Sequence, residues 1–377
     1  MKILITGGAG FIGSQLARHL TSQGEEITIL DNFSPQVHAG RENLHADLAS
    51  KVLLLHGDVA DSAILEKALN NVEYVVHLAA ETGTGQSMYE VCRYERTNLG
   101  GSAALYELLA KNPRHNIQRI VVASSRAIYG EGAYRCEHDG IVYPPSRASS
   151  AKRQGEFDPI CPVCGAACRS IATSEASPMQ PSSFYGLTKQ MQEQTAMLFG
   201  RVFGIPTVAL RYQNVYGPGQ SLDNPYTGIL AVFSNLARKG LPLRVFEDGA
   251  ESRDFVYVED VVLATAAALT VDLSGFHAVN VGSNHRTSVL QVAQTINSFY
   301  GNRSVVEVTG AFREGDIRHG LANLALARQI LGYEPRWKFD DGIRQFLAWA
   351  NRSEPDSSGY ERSLAELKQR GLLHGRC

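Results

Sequence analysis

Three glycines spaced three residues apart, Gly7, Gly10 and Gly13, lie between the first strand-like run of the chain and its first predicted helix. Lys2–Thr6 reads KILIT, which is typical of a buried strand, and we expect a helix through Gln15–Gln23. Glycines at such a junction allow a tight turn and a close approach of the backbone to a ligand. Because the N-terminus of the following helix attracts anions, this unit predicts a pyrophosphate-binding loop at the start of a parallel sheet.

Short β-rich runs alternate with helical stretches through the first half of the chain, and regular structure resumes near residue 183 after a gap. This alternation predicts an α/β fold of the Rossmann type, which is a doubly wound parallel sheet covered by helices on both faces. The further strands are expected at Glu26–Leu30, Lys51–His56, Val72–His77, Arg119–Ala123 and Thr207–Leu210, and the further helices at Tyr89–Lys111 and Ser183–Phe203.

The 377 residues exceed the ~150 of a typical domain, which favours more than one lobe. We expect a dinucleotide-binding domain at residues 1–211, a smaller lobe at 212–350 that mainly binds substrate, and a C-terminal tail at 351–377. Residues 131–178 are rich in Pro, Ser, Cys and Arg and show no sustained period. Loops of this length are usually functional or separately stabilised, so we interpret this stretch as a Cys-containing insertion in the first domain.

The charges of the chain nearly balance, with 36 Lys and Arg against 38 Asp and Glu. Binding to nucleic acid depends on surplus basic charge, so we expect no nucleic-acid partner. No apolar run approaches the ~20 residues of a membrane span. The chain also starts directly into a strand, without the apolar core and cleavage site of a secretory signal. We therefore expect a globular cytoplasmic protein with no membrane partner.

Asp31, at the end of the second predicted strand, lies 18 residues past Gly13 (31 − 13), where a carboxylate accepts hydrogen bonds from an adenosine ribose. It also repels a 2′-phosphate, and the next two residues include no Arg to attract one, so we predict NAD rather than NADP. The alternative is a solvated turn with an aspartate cap. The residues expected to contact NAD are Gly7, Gly10, Phe11, Ile12, Gly13, Asp31, Asn32, Asp58, Val59, Leu78, Ala79 and Ala80.

Tyr185 and Lys189 are four residues apart at the start of a predicted helix, which places both side chains on one face. A phenol with a pKa near ~10 is a poor base at neutral pH, but a neighbouring ammonium group lowers that pKa. Ser124 and Ser125 follow the strand Arg119–Ala123, at the edge where parallel α/β sheets place their chemistry. Together with the glycine turn, these residues predict a catalytic site beside the dinucleotide.

With these motifs the chain resembles the extended short-chain dehydrogenase/reductase family, in particular its nucleotide-sugar epimerase branch, from about Met1 to about Trp349. The resemblance implies that Tyr185 is the acid/base, that Lys189 binds the nicotinamide ribose and tunes the tyrosine, and that Ser125 hydrogen-bonds a sugar hydroxyl. It also implies a homodimer formed through a four-helix interface. The residues implied to bind the diphosphate and nucleotide of the substrate are Asn214, Arg253, Arg313 and Asp316. Guanidinium forks suit such contacts with phosphate.

The two positions after Ser125 narrow the reaction that the resemblance implies. Relatives that dehydrate or decarboxylate the sugar carry acidic residues there, whereas this chain has Arg126 and Ala127. Without that second acid/base, elimination of water is disfavoured, so we expect a sugar epimerase that inverts C4 through a transient 4-keto sugar. A nucleotide-sugar reductase and a non-catalytic NAD-binding scaffold are the alternatives. The preference for NAD argues against the first, and the intact Tyr-Lys pair against the second.

Several stretches resemble one bacterial subgroup of these epimerases more closely, whose substrate is dTDP-L-rhamnose: DNFSPQVHAG, HLAAETGTGQSMYE, CPVCG, VALRYQNVYGPGQSL and NPYTGI. Arg126, Ala127 and Gln213 depart from what we expect of that subgroup. A charged Arg126 beside the hexose would change which sugar fits. The sequence therefore predicts C4 inversion of a nucleotide sugar and leaves dTDP-, UDP- and GDP-sugars open.

Four of the six cysteines, Cys136, Cys161, Cys164 and Cys168, fall within the predicted insertion. Cys161-Pro-Val-Cys164-Gly resembles a knuckle whose turn directs two thiolates at one zinc ion. The remaining ligands are expected to be Cys136 and either Cys168 or His138, and such a clip would hold a segment that lacks its own core. One alternative is free thiols in a loop over the substrate cleft. Another is a redox pair, which the lack of a helix starting at the pair disfavours.

Overall fold

Strands and helices alternate along the chain, and the computed structural model describes them over residues 1–224, 226, 228–354 and 358–375. The strands are β1 (Lys2–Thr6), β2 (Glu26–Asp31), β3 (Leu53–His56), β4 (Tyr74–His77), β5 (Arg119–Ser125), β6 (Tyr134–Cys136), β7 (Gly140–Val142), β8 (Cys168–Ser170), β9 (Thr207–Tyr212), β10 (Asn214–Tyr216), β11 (Leu243–Val245), β12 (Ser252–Tyr257), β13 (Phe276–Val281), β14 (Arg286–Ser288), β15 (Val306–Val308), β16 (Phe312–Arg313) and β17 (Leu373–His374).

The helices of the described residues are α1 (Phe11–Ser22), α2 (Pro35–His38), α3 (Ala46–Ala49), α4 (Ser62–Ala68), α5 (Thr84–Ser87), α6 (Val91–Tyr94), α7 (Gly101–Lys111), α8 (Ser149–Arg153), α9 (Phe184–Phe203), α10 (Ile229–Arg238), α11 (Val258–Thr270), α12 (Val289–Phe299), α13 (Ala325–Leu331), α14 (Phe339–Ala350) and α15 (Ser358–Gln369). A π-helical stretch, Glu95–Gly100, joins α6 to α7, and a 3-10 helix, Arg126–Tyr129, follows β5. Within these described ranges, none of the helices is both long enough and apolar enough to cross a lipid bilayer.

Seven strands form one parallel sheet in the order β13-β9-β5-β4-β1-β2-β3, which confirms the predicted fold class. The chain starts in the middle of the sheet at β1 and builds outward on both sides. The order therefore reverses between β1 and β4, and such a switch point leaves a crevice at the carboxyl ends of the two strands. Because both faces of the sheet are covered, β1 is a continuous apolar run and not an alternating one.

Two apolar clusters cover the two faces of this sheet. One contains Leu16 of α1 and Val261 of α11, and the other contains Leu105 of α7 and Phe199 of α9. Burying an apolar side chain of this size contributes about 1.5–3 kcal/mol to stability. The helices that flank the crevice are therefore held firmly against the sheet.

A third apolar cluster lies in the smaller C-terminal lobe, around Phe233 of α10, Ile296 of α12 and Phe346 of α14. The predicted tail contains α15 and β17, and β17 pairs antiparallel with β16. Leu367 of the tail is buried with Phe246, so the described part of the tail packs onto this lobe. Outside the described residues lie Pro225 and Thr227 of the NPYTGI stretch, residues 355–357 and residues 376–377.

The insertion at residues 131–178 contains its own short elements, an antiparallel sheet in the order β7-β6-β8 and the helix α8. Each of these strands is three residues long. A strand this short shows no periodicity, which explains why the sequence indicated only an irregular stretch. A small core of four side chains holds the sheet together, consisting of Tyr134, Cys136, Val142 and Cys161.

Candidate active site

The glycine loop between β1 and α1 brings backbone segments unusually close together. Gly7 has a φ of +69°, and a Cβ atom there would lie 2.8 Å from the backbone nitrogen of Ala79. A Cβ atom on Gly13 would lie 2.4 Å from the carbonyl oxygen of Gly7. The helix α1 begins at Phe11, earlier than predicted, and its N-cap is Gly10, which has no side chain. The first N–H groups of α1 are therefore left to bind an anion such as a pyrophosphate.

Asp31 ends β2 with its carboxylate against the glycine loop. Its Oδ2 accepts a hydrogen bond from the Ala9 N–H at 2.9 Å, and its Oδ1 accepts one from the Phe33 N–H at 2.9 Å. Nε2 of His38 lies 3.3 Å from Oδ1. Each carboxylate oxygen accepts more than one hydrogen bond, so Asp31 keeps capacity for ribose hydroxyls. The sequence did not indicate His38, because α2 has only four residues and shows no pattern.

A cleft of about 410 Å³ runs from the glycine loop along the carboxyl ends of the sheet strands. Asp58 is the one predicted NAD contact that does not line this cleft. The Asp58 carboxylate accepts hydrogen bonds from the Ala60 N–H at 2.9 Å and from Nδ2 of Asn32 at 3.2 Å. Asp58 therefore orients Asn32 at the edge of the cleft. The other predicted contacts line it, namely Gly7, Gly10, Phe11, Ile12, Gly13, Asp31, Asn32, Val59, Leu78, Ala79 and Ala80.

Ser125, Tyr185 and Lys189 line the same cleft, with Ser125 at the end of β5 and the other two on α9. Neighbouring side chains of a strand point to opposite faces. Accordingly, Oγ of Ser124 donates to Oε2 of Glu193 at 2.5 Å, whereas Ser125 forms a hydrogen bond with the Tyr185 phenol. The structure thus brings together the three residues predicted for catalysis and places Ser125, not Ser124, next to the tyrosine.

Tyr185 is half-buried, and the desolvation of its phenol raises its pKa above the ordinary value. The hydrogen bond from Ser125 and the positive charge of Arg126 lower this pKa and so oppose the effect of burial. From the sequence we expected the ammonium group of Lys189 to lower it. In the structure the Lys189 side chain is directed to another partner.

That partner is Gln192, whose Oε1 accepts a hydrogen bond from Nζ of Lys189 at 2.5 Å. Burial lowers the pKa of Lys189 to about 7, although the Glu193 carboxylate raises it. Nε2 of Gln192 in turn donates to Oγ of Ser102 at 2.9 Å, and Ser102 contacts Nε2 of His77 at 2.9 Å. The sequence did not indicate Gln192 as part of the site, since a single amide in a helix carries no recognisable pattern.

The π-helical stretch before α7 contributes a third group that the sequence did not indicate. Oδ1 of Asn98 accepts from the Glu81 N–H at 2.7 Å, and its Nδ2 donates to Oγ1 of Thr188 at 2.9 Å. Asn98 therefore ties the loop after β4 to α9 behind the catalytic residues. Single π-helical turns within α-helices often occur at functional sites, but the sequence predicted one uninterrupted helix here.

An adjoining pocket of about 180 Å³ lies between the sheet edge and the C-terminal lobe. Within it, Nε of Arg313 donates to Oδ2 of Asp316 at 2.9 Å, and Nε of Arg126 donates to Oδ1 of Asn214 at 2.9 Å. Burial alone would raise the pKa of Asp316. The positive charges of Arg313, Arg253 and other arginines have the larger combined effect, so this pKa lies below its ordinary value. The pocket contains all four predicted substrate residues, Asn214, Arg253, Arg313 and Asp316, and its guanidinium groups suit phosphate.

Three of the four cysteines predicted as metal ligands lie together in the insertion. Neither Cys168 nor His138 belongs to this group, and the Cys168 thiol donates instead to the carbonyl oxygen of Pro159 at 3.2 Å. An aspartate that the sequence analysis did not consider takes the fourth place. The ligand atoms of the group lie within 4.8 Å of one another and belong to Cys136, Asp139, Cys161 and Cys164.

Comparison with known proteins agrees with this geometry. The model of the NAD dependent epimerase/dehydratase family matches residues 3–156 and 161–282. A dTDP-L-rhamnose 4-epimerase from Burkholderia thailandensis is 38% identical over 352 residues, which cover 92% of this chain and 94% of that protein.

Solved structures resemble the chain over nearly its whole length. The Thermus thermophilus UDP-glucose 4-epimerase in complex with NAD is 26% identical with a TM-score of 0.73, covering 93% of this chain and 99% of that one. MoeE5 in complex with UDP-glucuronic acid and NAD is 27% identical, also with a TM-score of 0.73 and the same shares of the two chains. The chain is therefore similar both to epimerases of different sugars and to proteins solved with NAD.

Proposed function

We propose, from the premise that the chain belongs to the NAD dependent epimerase/dehydratase family, that it inverts C4 of dTDP-L-rhamnose and releases dTDP-6-deoxy-L-talose. The observation that carries the reaction is the meeting of Ser125, Tyr185 and Lys189 with the glycine loop in one cleft. The similarity to the Burkholderia enzyme supports this choice of sugar. We place the activity in the cytoplasm, where it would supply an activated sugar for polysaccharide assembly.

The residues of the glycine loop and β2 fit NAD. The N-terminus of α1 would bind the pyrophosphate, and Asp31 would accept hydrogen bonds from the adenosine ribose and repel a 2′-phosphate. Lys189 would bind the nicotinamide ribose at the other end of the cleft. When bound there, NAD supplies reversible hydride transfer at C4 of the sugar.

Tyr185 and Ser125 would handle the proton of the sugar O4 hydroxyl. The Tyr185 phenolate would accept this proton when C4 is oxidised to a ketone by the bound NAD. Ser125 would hydrogen-bond the same oxygen and hold it near the phenol. After the sugar has turned within the cleft and C4 is reduced on its opposite face, Tyr185 would return the proton to O4. The reaction is therefore an isomerisation without net oxidation.

The side chains after Ser125 favour this reaction over loss of water or of a carboxyl group. Arg126 and Ala127 line the cleft at the positions where a second acid/base would act. Neither accepts a proton at neutral pH, since the guanidinium pKa is lowered only to about 10 by burial and by the charge of Arg253. The 4-keto sugar would therefore have no second residue there to eliminate a leaving group.

A 4-epimerase of an acidic UDP-sugar is the second candidate, and Arg126 is the observation that favours it. This half-buried side chain lines both the catalytic cleft and the adjoining pocket. A cation in that position would pair with a sugar carboxylate. The likeness to MoeE5, which was solved with UDP-glucuronic acid, agrees with this alternative. Other dTDP-, UDP- and GDP-sugars can be supplied as substrates in the same assay, which also detects reduction of a keto sugar.

The proposal is tested by proton NMR of the purified protein with dTDP-L-rhamnose and no added nicotinamide. We expect a second sugar nucleotide to rise to a fixed plateau, and the same plateau to be reached from dTDP-6-deoxy-L-talose. Tyr185→Phe should lose at least about a hundredfold in rate, as expected for loss of the acid/base. Turnover of UDP-glucuronate alone would favour the second candidate. A need for stoichiometric reduced nicotinamide would identify a reductase instead.

We also propose a homodimer that forms through α9. An exposed apolar stripe runs along this helix at Leu187, Met191, Leu198 and Val202, which are 42%, 39%, 61% and 67% exposed. Pairing with a second copy would bury it. Light scattering after size exclusion should give twice the chain mass, and Leu198→Lys should shift the protein towards monomer. Leu53→Lys, at an equally exposed leucine of β3 (60%), should not.

A further inference from the structure

Two turns of the insertion have the same spacing, and their closing glycines have the same φ. Residues 136–140 read CEHDG and join β6 to β7, and residues 161–165 read CPVCG. Each turn ends on a glycine, Gly140 or Gly165, with a φ of +74°, a conformation that residues with side chains rarely adopt. The two turns are therefore the same knuckle, with Asp139 in one at the position of the second cysteine in the other.

The two knuckles face each other across the small sheet. Sγ of Cys136 lies 3.5 Å from Sγ of Cys164, and Oδ2 of Asp139 lies 3.5 Å from Sγ of Cys136 and 3.2 Å from Sγ of Cys161. Tetrahedral zinc, with Zn–S near ~2.3 Å and Zn–O near ~2.0–2.2 Å, separates its ligand atoms by about 3.4–3.8 Å. The four side chains thus lie close to the positions that one zinc ion requires.

Backbone hydrogen bonds close the cysteine knuckle. The N–H of Gly165 donates to the carbonyl oxygen of Cys161 at 3.0 Å, and the N–H of Cys161 donates to the carbonyl oxygen of Ala166 at 2.8 Å. Cys136 and Cys161 are buried, while Asp139 and Cys164 are exposed, so an ion can enter from the solvent side.

We propose that Cys136, Asp139, Cys161 and Cys164 together bind one structural Zn²⁺ ion. Three thiolates select zinc over Mg²⁺ and Ca²⁺, which prefer oxygen ligands. A set of four protein ligands leaves no position for a substrate, which is typical of a structural and not a catalytic ion.

The ion would hold the insertion in the place where it supports the substrate pocket. Two of the four side chains in the core of the small sheet are themselves ligands, so little apolar packing remains without the metal. Arg147 of the insertion donates to the carbonyl oxygen of Asp316 at 2.9 Å and to Oε2 of Glu247 at 2.9 Å. Asp158 accepts from Nε of Arg318 at 2.7 Å. Loss of zinc is therefore expected to loosen residues 316–318 and to raise KM more than it lowers kcat.

The test is the metal content of the full chain, purified under reducing conditions with zinc in the medium and measured by plasma mass spectrometry. We expect about one zinc per chain for the wild type, as one four-ligand site requires. Replacement by Co²⁺ should produce the visible bands of tetrahedral cobalt bound to thiolates. Cys161→Ser and Asp139→Ala should lose most of the metal. Cys168→Ser and Cys92→Ser, which change cysteines outside the site, should keep it.

Thermal unfolding with and without a chelator provides a second readout. The chelator should lower the Tm of the wild type and of Cys168→Ser, and should not change the Tm of Asp139→Ala. Folded wild-type protein without zinc would overturn the proposal. Loss of zinc in Cys168→Ser, with zinc retained in Asp139→Ala, would overturn the ligand set. None of these measurements depends on the sugar, so the metal site and the proposed function can fail separately.

Discussion

Nζ of Lys189 lies 2.5 Å from Oε1 of Gln192, one turn further along α9. Gln192 also donates a hydrogen bond to Ser102, and Ser102 contacts Nε2 of His77. On the other side of the imidazole ring, Nδ1 of His77 lies 2.7 Å from Oγ1 of Thr6 at the end of β1. Burial, with a smaller effect of Lys189, lowers the pKa of His77 to about 3, so this imidazole is neutral at pH 7. Satisfied buried networks of this kind rigidify what they hold. The chain of contacts therefore fixes Lys189 relative to the strand that carries the glycine loop.

Burial of Lys189 should make the stability of the NAD-free protein depend on pH. Its pKa of about 7 is well below that of a lysine in the unfolded chain, ~10.4. Between these two values the unfolded state binds more protons, so stability rises with pH. As pH is raised from 7 to 10, the wild type should gain up to a few kcal/mol in free energy of unfolding relative to Lys189→Met. Denaturant titrations at several pH values measure this.

The exposed Lys67 of α4 provides the matched control for that comparison. Lys67→Met should give a stability curve parallel to that of the wild type across the same pH range. Parallel curves for Lys189→Met as well would show that Lys189 does not titrate in this window.

Removing the Ser125 hydroxyl should shift the pH dependence of catalysis to higher pH. The hydrogen bond from Ser125 lowers the pKa of Tyr185, so its loss raises that pKa, and less phenolate is present at neutral pH. In Ser125→Ala the acidic limb of the kcat/KM profile should therefore move to higher pH, with a loss of at least about tenfold at pH 7. In Ser124→Ala the limb should not move, since the Ser124 hydroxyl donates to Glu193. An unshifted limb in Ser125→Ala would refute this assignment.

Gly13 should tolerate no side chain. An added Cβ would lie 2.4 Å from the Gly7 carbonyl oxygen and 2.7 Å from Cα of Gly8, and both are backbone atoms that cannot move aside without opening the loop. Gly13→Ala should therefore purify with little bound NAD, measured by absorbance after denaturation. Gly100→Ala, where the nearest atom to a Cβ is 3.8 Å away, should keep its NAD. Equal NAD contents in the two variants would contradict the expectation.

The buried ion pair between Arg211 and Glu193 should contribute strongly to stability when only one partner is removed. Nη2 of Arg211 lies 2.6 Å from Oε1 of Glu193, and both side chains are almost fully buried. Glu193→Ala leaves a buried guanidinium group uncompensated and should destabilise the protein by about 3–5 kcal/mol. Removing the exposed partner of Arg18 in Asp47→Ala should change stability by about 1 kcal/mol or less. Chemical denaturation compares the two.

The sequence predicted the elements of the sheet more reliably than the partners of individual side chains. The strand β1 has the bounds that its apolar run predicted, whereas α1 starts at Phe11 and not at Gln15. Three residues of the glycine motif, Phe11, Ile12 and Gly13, thus lie inside the helix, where the pattern had indicated a loop. The sequence analysis also missed Asp139. In residues 136–140 this aspartate takes the position that Cys164 takes in residues 161–165, and an aspartate there does not mark a metal site.

By itself the sequence determined the α/β class, the glycine loop before α1 and the placement of Tyr185 and Lys189 on one helix face. These features depend on local spacing and on the apolar runs that form strands, both of which can be read along the chain. Only the tertiary structure decided that Lys189 hydrogen-bonds Gln192, and that Asp139 joins the cysteines of a distant turn. Such contacts arise when packing brings separate segments together, and the residue types alone do not select among the available partners.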